Sequence, residues 1–206
     1  PCPCLTSITR PIPDRDGTLT RWGAQGFIGR PDEWVAVPGA LEAVSRLNRA
    51  GWHVVVVTNQ PGLGRGLFDV IELNAVHAKM HRELAAAGGR VEAVFFCPHA
   101  PDEDCSCRKP HPALFQQVAE HYGAEGHEIW AIGSGVEHLQ AGQALGAHLM
   151  YVESTGRPDS CSTDALPEGS ERFADLQAVV HVLLPLGEDE VVQTSEGMPK
   201  EPPLSH

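Results

Sequence analysis

The 206-residue sequence predicts an α/β domain, a central parallel sheet between two layers of helices. Two observations carry the prediction. Short apolar runs alternate along the chain with segments of helical periodicity, the pattern that produces parallel strands joined by crossover helices. Polar clusters also follow several of those runs directly, at the carboxyl ends of strands where open α/β sheets bind ligands. Residues 1–186 suffice for a single domain of this kind. Residues 187–206 are acidic, proline-containing and aperiodic, and read as a disordered tail.

The first segment is the least regular. A strand leading into Asp14 should be a short apolar run, yet the chain there contains Pro11 and Pro13, which cannot donate to a ladder. A strand over residues 1–13 is therefore either weakened or does not pair as expected. Residues 19–37 read as a loop carrying Trp22, Phe27 and Trp34. Pro38-Gly39 opens a helix over 40–50, with Leu41, Val44 and Leu47 on one face, and Gly51 ends it. His53-Val54-Val55-Val56-Val57 is β-branched and apolar throughout, as a strand buried on both faces should be. The glycine-rich segment Pro61-Gly62-Leu63-Gly64-Arg65-Gly66 follows it closely. A helix fits 70–87, stopped by Gly88-Gly89, and a strand fits 91–96. Beyond these come a helix at 112–122, a strand at 129–132, a helix at 139–145 and a strand at 148–152. Residues 154–169 read as loop, and 173–184 as a closing helix with Leu176, Val179, Val180 and Leu183 apolar.

A net charge of -12 argues against nonspecific binding to nucleic acid or to an anionic membrane. No apolar run reaches the length of a transmembrane helix, and the first residues lack the basic-then-apolar order of a signal peptide. Three of the six cysteines fall in one short cluster, which favours a metal site over a disulfide framework and a reducing, cytoplasmic setting.

Asp14-Arg15-Asp16-Gly17-Thr18 is the segment around which the chemistry gathers. At the end of a strand, Asp14 and Asp16 would point to the same side, and Gly17 would permit a sharp turn. Two carboxylates so close favour a cation between them or a shared proton. Such a pair suits phosphoryl transfer, one acid attacking phosphorus and the other moving protons beside magnesium. Isolated, the segment reads as an Asp-Gly turn; Thr58-Asn59-Gln60 at the next strand end, suited to a phosphate oxygen, shifts the balance towards a site. Cys97, His99, Cys105 and Cys107 offer three thiolates and an imidazole on one polar loop, which suits a closed, structural zinc site. Arg108 and Lys109 follow at once and concentrate scarce positive charge beside that loop, where an anion would be recognised.

Together these motifs resemble the haloacid dehalogenase superfamily of phosphatases, in particular its D-glycero-D-manno-heptose 1,7-bisphosphate 7-phosphatase group, related to the histidinol-phosphatase branch. The match runs from about Asp14 to Gly156. The resemblance implies a three-layer, Rossmann-like sandwich with a short zinc loop (97–107) and no large cap domain. It implies hydrolysis of a sugar phosphate monoester through an aspartyl-phosphate, with Asp14 as nucleophile and Asp16 as general acid and base. Thr58 and Lys109 would stabilise the phosphoryl group, while Asn59, Gln60, Arg108 and also Arg65 would contact substrate. Magnesium would bind at the Asp14 carboxylate and the Asp16 main-chain carbonyl, and zinc at Cys97, His99, Cys105 and Cys107. The implied partner is a phosphorylated sugar, handled by a monomer.

The chain departs from the family pattern after the strand at 129–132. Gly133 is kept, but Ser134 stands where a metal-binding Asp is expected, Gly135 where a Lys is, and His138 where a further Asp is. The loop Thr20 to Phe27 also departs from the usual sugar-binding pattern. Magnesium prefers charged oxygens, so the substitutions leave two readings open. One is a phosphatase with a weaker metal site; the other is a zinc-stapled phosphosugar-binding or interaction protein with little turnover.

Overall fold

The computed structural model describes residues 9–23, 26–154 and 166–184. The prolines ahead of Asp14 do not prevent a strand. Arg10–Pro13 forms β1 and pairs in parallel with β4 (Ile129–Gly133), Ile12 standing opposite Ala131. Asp14 donates its N–H to the Ile132 carbonyl at 2.9 Å, so the even-numbered residues turn their backbone groups to β4. Pro11 and Pro13 therefore face the other way, towards β2 (Val55–Asn59), which touches β1 without forming a ladder with it. The missing donors thus coincide with a seam in the sheet, and the strand survives on the side where its N–H groups remain.

With β3 (Ala93–Cys97), β5 (His148–Val152) and β6 (Ser170–Phe173), the hydrogen-bonded orders are β1-β4-β5-β6 and β2-β3, and every pairing is parallel. Read across the seam the strand order is 3-2-1-4-5-6, the Rossmann order. Its topological switch point lies between β1 and β4, and Asp14 and Ser134 follow those two strands directly.

Helices cover both faces. Val44 and Leu47 of α1 (Ala40–Arg49), Val76, Met80 and Leu84 of α3 (Val70–Ala86, after the short α2, Pro61–Gly64), and Val179 and Val180 of α6 (Leu176–Leu183) pack with Val54, Val56 and Val152. On the opposite face, Phe115 and Val118 of α4 (Ala113–Tyr122) and Leu139 of α5 (Val136–Gln143) pack with Val55, Val57 and Tyr151. Consecutive residues of β2 thus enter different cores, which is why the whole run had to be apolar. Each such buried side chain contributes roughly 1.5–3 kcal/mol.

The strands expected at 53–57 and 91–96 are shifted to Val55–Asn59 and Ala93–Cys97, α2 was not expected, and two further differences bear on the site and the sheet edge. α5 begins at Val136 rather than Leu139, close behind the strand-end turn. The helix expected from residue 173 is preceded by a strand, β6, whose Glu171 and Arg172 are exposed. An edge strand with polar residues carries no apolar signal, and Asp175 then starts α6 by accepting the Ala178 N–H at 2.8 Å. No cap domain interrupts these elements among the described residues, and none of their helices is long and apolar enough to cross a membrane. The tail at 187–206, residues 1–8 and most of the loop after Ser154 lie outside the described residues.

Candidate active site

The first turn after β1 builds the centre of the site. Gly17 adopts φ 77° and donates its N–H to the Thr20 carbonyl at 2.7 Å, while Leu19 and Thr20 both donate to the Arg15 carbonyl. A Cβ at Gly17 would sit 2.3 Å from Trp22 Nε1 and 2.5 Å from Ser134 Oγ, so glycine is required by both backbone and space. Asp14 and Asp16, two residues apart, both line a cavity of about 190 Å³, together with Thr58, Asn59, Lys109, Trp22, Glu137 and His138.

Lys109 fixes Asp14. Its Nζ donates to Asp14 Oδ2 at 2.7 Å and to the Val57 carbonyl at 3.2 Å, and it lies 3.0 Å from His138 Nδ1. His138 is fully buried, and its Nε2 lies 2.9 Å from the Ile12 carbonyl. A carbonyl can only accept, so Nε2 carries the proton and Nδ1 accepts from Lys109. Burial first, and the Lys109 ammonium second, hold His138 well below its usual pKa. A neutral imidazole thus orients Lys109 where the family pattern expects a carboxylate. Asn59 completes the cradle: its amide donates to the Lys109 carbonyl at 3.2 Å and accepts the Lys109 N–H at 3.1 Å.

Asp16 is gripped from the other side. The buried Arg15 donates to both of its oxygens, Nε to Oδ1 at 3.0 Å and Nη2 to Oδ2 at 3.1 Å. Gln60, also fully buried, donates to Asp16 Oδ2 and to Thr58 Oγ1 and accepts from Arg15 Nη2. Arg15 Nη1 reaches His77 Nε2 at 3.2 Å. Burial, and next the Arg15 charge, lower the His77 pKa to about 4. Gln60 therefore sits beneath the cavity as a support for Asp16.

Cys97, His99, Cys105 and Cys107 converge, their ligand atoms all within 4.8 Å of one another. Their edges include 3.5 Å from Cys97 Sγ to His99 Nδ1, 3.2 Å from His99 Nδ1 to Cys107 Sγ, 3.7 Å from Cys97 Sγ to Cys105 Sγ and a shorter 3.0 Å from Cys107 Sγ to Cys97 Sγ. Tetrahedral zinc, with Zn–S near 2.3 Å and Zn–N near 2.0–2.1 Å, would need edges of about 3.5–3.8 Å. Burial first, and the thiol–thiol hydrogen bond with Cys107 next, push the metal-free Cys97 thiol up to about 12, so a cation is what would hold it as thiolate. Arg108 ties the loop together through the carbonyls of Ala100, Pro101 (3.2 Å) and Glu103 (3.0 Å).

Of the residues expected at the site, Asp14, Asp16, Thr58, Asn59 and Lys109 share the cavity. Gln60 lies under it, Arg108 is engaged with the Cys/His loop, and the exposed Arg65 is not among the lining residues. Sequence reasoning passed over Arg15, Trp22 and His77. His77 had a weak signal, since it falls on the apolar stripe Leu73, Val76, Met80 and Leu84 of α3 and is buried with it.

The profile of the haloacid dehalogenase-like hydrolases matches residues 14–146. Over 173 residues, 84% of this chain and 96% of the relative, the chain is 44% identical to D-glycero-beta-D-manno-heptose-1,7-bisphosphate 7-phosphatase of Bordetella bronchiseptica. It is 40% identical to the protein of that name from Pseudomonas aeruginosa, over the same shares. The crystal structure of D,D-heptose 1,7-bisphosphate phosphatase from B. bronchiseptica, complexed with magnesium and phosphate, superposes with TM-score 0.81 at 43% identity, covering 86% of this chain and 98% of that one. The corresponding enzyme from Burkholderia thailandensis gives TM-score 0.67 at 39% identity, over 86% and 99%. A Rossmann-ordered sheet with Asp14 and Asp16 at its switch point, and a family match running from Asp14 through α5, lead to one statement: the chain belongs to the haloacid dehalogenase-like hydrolases.

Proposed function

We propose that the chain is a phosphatase that removes the 7-phosphate of D-glycero-D-manno-heptose 1,7-bisphosphate, a step towards ADP-heptose and the lipopolysaccharide core. The observation that carries this reading is the Lys109–Asp14 contact of 2.7 Å at the floor of a cavity that Asp16 also lines. The names of the similar proteins supply the substrate.

In the first step an Asp14 oxygen attacks phosphorus, the ester P–O bond breaks, and Asp16 protonates the departing sugar oxygen. In the second, Asp16 takes a proton from water, whose oxygen attacks the aspartyl-phosphate and frees Asp14 and phosphate. Lys109 and the Thr58 hydroxyl would stabilise charge on the phosphoryl oxygens. Asn59 holds the Lys109 backbone and His138 its ammonium, while Arg15 and Gln60 hold Asp16.

The donor set fits magnesium in reduced form. Asp14 would supply one carboxylate and the Asp16 carbonyl a neutral oxygen; Ser134 Oγ is buried and unpaired among the described residues but is not one of the residues lining the cavity. Magnesium often needs only one or two carboxylates plus the substrate phosphate. When bound it would neutralise charge on the transferring phosphoryl group. Zinc would be structural, held by Cys97, His99, Cys105 and Cys107. A cytoplasmic monomer that binds neither nucleic acid nor membrane is consistent with this reading.

Phosphate release from heptose 1,7-bisphosphate with magnesium tests it, comparing wild type, Asp14→Asn, and the double variant Ser134→Asp/His138→Asp. Wild type should clearly exceed Asp14→Asn. Equal rates for those two, with activity only in the double variant, would instead mark a phosphosugar-binding protein that has lost turnover, the reading that Ser134 and His138 favour.

A further inference from the structure

We infer that His77 is a positioning residue for Asp16: it holds Arg15, and Arg15 sets the orientation of the Asp16 carboxylate. The inference rests on Asp16 being the acid of the phosphatase site proposed above.

The Arg15 guanidinium carries five N–H groups in one plane, and Arg15 is fully buried, so each must find its acceptor inside the protein. Nε donates to Asp16 Oδ1 at 3.0 Å, while Nη2 donates to Asp16 Oδ2 at 3.1 Å and to Gln60 Oε1 at 3.0 Å. That fork takes both oxygens of the carboxylate and fixes its rotation. The remaining nitrogen, Nη1, meets His77 Nε2 at 3.2 Å. A guanidinium can only donate, so Nε2 accepts and the ring is neutral, with its proton on Nδ1. Burial first and the Arg15 charge second favour that neutral form, lowering the His77 pKa to about 4.

Packing alone does not call for a histidine here. His77 lies on the buried stripe of α3 with Leu73, Val76, Met80 and Leu84, beside Phe96 of β3 at 6.3 Å between ring centroids. Leucine or methionine would fill such a place, and a polar ring is costly to bury unless it is bonded. Its bond is to Arg15, 62 residues away, and neither side chain lines the cavity. With an apolar residue at position 77, Nη1 would lose its acceptor, and the guanidinium would have to turn to find another. Because the fork is rigid, that turn takes Nε and Nη2 off Asp16. Helix α3 thus reaches the acid of the site through one planar group.

The test uses the full chain, purified without chelator, and two readouts. The first is the nitrogen–proton NMR resonance of the Arg15 Nε–H, assigned by its loss in Arg15→Met. It should shift and exchange faster with water in His77→Leu, and stay near its wild-type position in His77→Gln, which keeps an acceptor. The second is kcat/KM with magnesium, on heptose 1,7-bisphosphate and on p-nitrophenyl phosphate; it reports cleavage of the ester bond and not the later hydrolysis of the aspartyl-phosphate. His77→Leu should lower the value for the sugar by about 10–100-fold, the loss expected when a proton-transferring group is misplaced. The aryl ester should lose much less, because p-nitrophenolate departs without a proton. Arg15→Met should show the same contrast, and adding His77→Leu to it should change neither substrate further, since both polar partners are then gone together. That last comparison stands even where His77→Leu alone fails to fold. Equal losses on the two substrates, an unmoved Arg15 resonance in His77→Leu, or a further fall in the double variant would overturn the inference. Wild-type turnover with an Arg15 resonance indifferent to His77 sinks this inference alone, and a His77-dependent resonance without turnover sinks only the proposed activity.

Discussion

Replacing His77 by Gln should flatten the acid side of this protein's stability profile. His77 is packed in α3 with its Nε2 turned to Arg15, and burial with the Arg15 charge lowers its pKa from 6.5 to about 4. His81 pushes in the same direction and Asp16 opposes it. As pH falls below 6.5 the unfolded chain takes up a proton at this site and the folded protein does not, so folding loses free energy until about pH 4. At 1.36 kcal/mol per pKa unit the whole shift is worth about 3 kcal/mol, and about 2 kcal/mol of it is gone by pH 5. For a chain of this length that is a fall in Tm of roughly 4–8 °C between pH 7.5 and pH 5 from His77 alone. Glutamine keeps an acceptor for Arg15 and does not titrate. Urea unfolding at both pH values, on wild type and His77→Gln, isolates the difference, because protonation of the zinc ligands and of the other histidines is common to both proteins. Parallel pH profiles in the two proteins would refute the reasoning.

Three further outcomes are expected. Purified without chelator, the protein should carry close to one zinc per chain by atomic absorption; Cys107→Ser should lose the zinc and unfold at lower temperature, since the polar loop has little else to order it. Asn59→Ala breaks both hydrogen bonds to the Lys109 backbone and should lower kcat by roughly 10–100-fold with less effect on KM, because Lys109 acts on the transition state. Gly17→Ala combines a φ of 77° with collisions against the Trp22 ring and Ser134 Oγ, and should cost more than about 1–2 kcal/mol in chemical denaturation.

Several elements were legible because their signals are local. The run from Val54 to Val57 has to be apolar if consecutive residues enter opposite cores, and it reads as such without any structure. α3 starts at Val70 as expected, and the structure supplies a reason the reading did not use: Asp69 and Glu72 cap each other's backbone N–H at 2.8 and 2.9 Å. The strand β6 was not legible, because the half-buried Ser170 and the exposed Glu171 and Arg172 form a strand only by pairing with β5. The prolines of β1 could be recognised as a conflict but not resolved, since which neighbour each residue faces is set by register across the sheet.

The site divides the same way. Chain order alone placed two carboxylates beside a glycine turn, a hydroxyl at the next strand end, three cysteines and a histidine on one loop and a lysine just after it, because each motif is a handful of adjacent residues. What those residues do to one another depends on contacts across large separations. Arg15 meets His77 and Gln60, Lys109 meets Asp14 and His138, and His138 meets Ile12, with sequence separations from 29 to 126. Only the folded sheet, with β1 beside β4 and β2 at the seam, makes Gln60 a support for Asp16, ties Arg108 to the Cys/His loop and brings Glu137 to the same cavity as Asp14. The chemistry was a property of residue types and spacing. Their division of labour came from burial and hydrogen bonding, which exist only once the strands have been brought together.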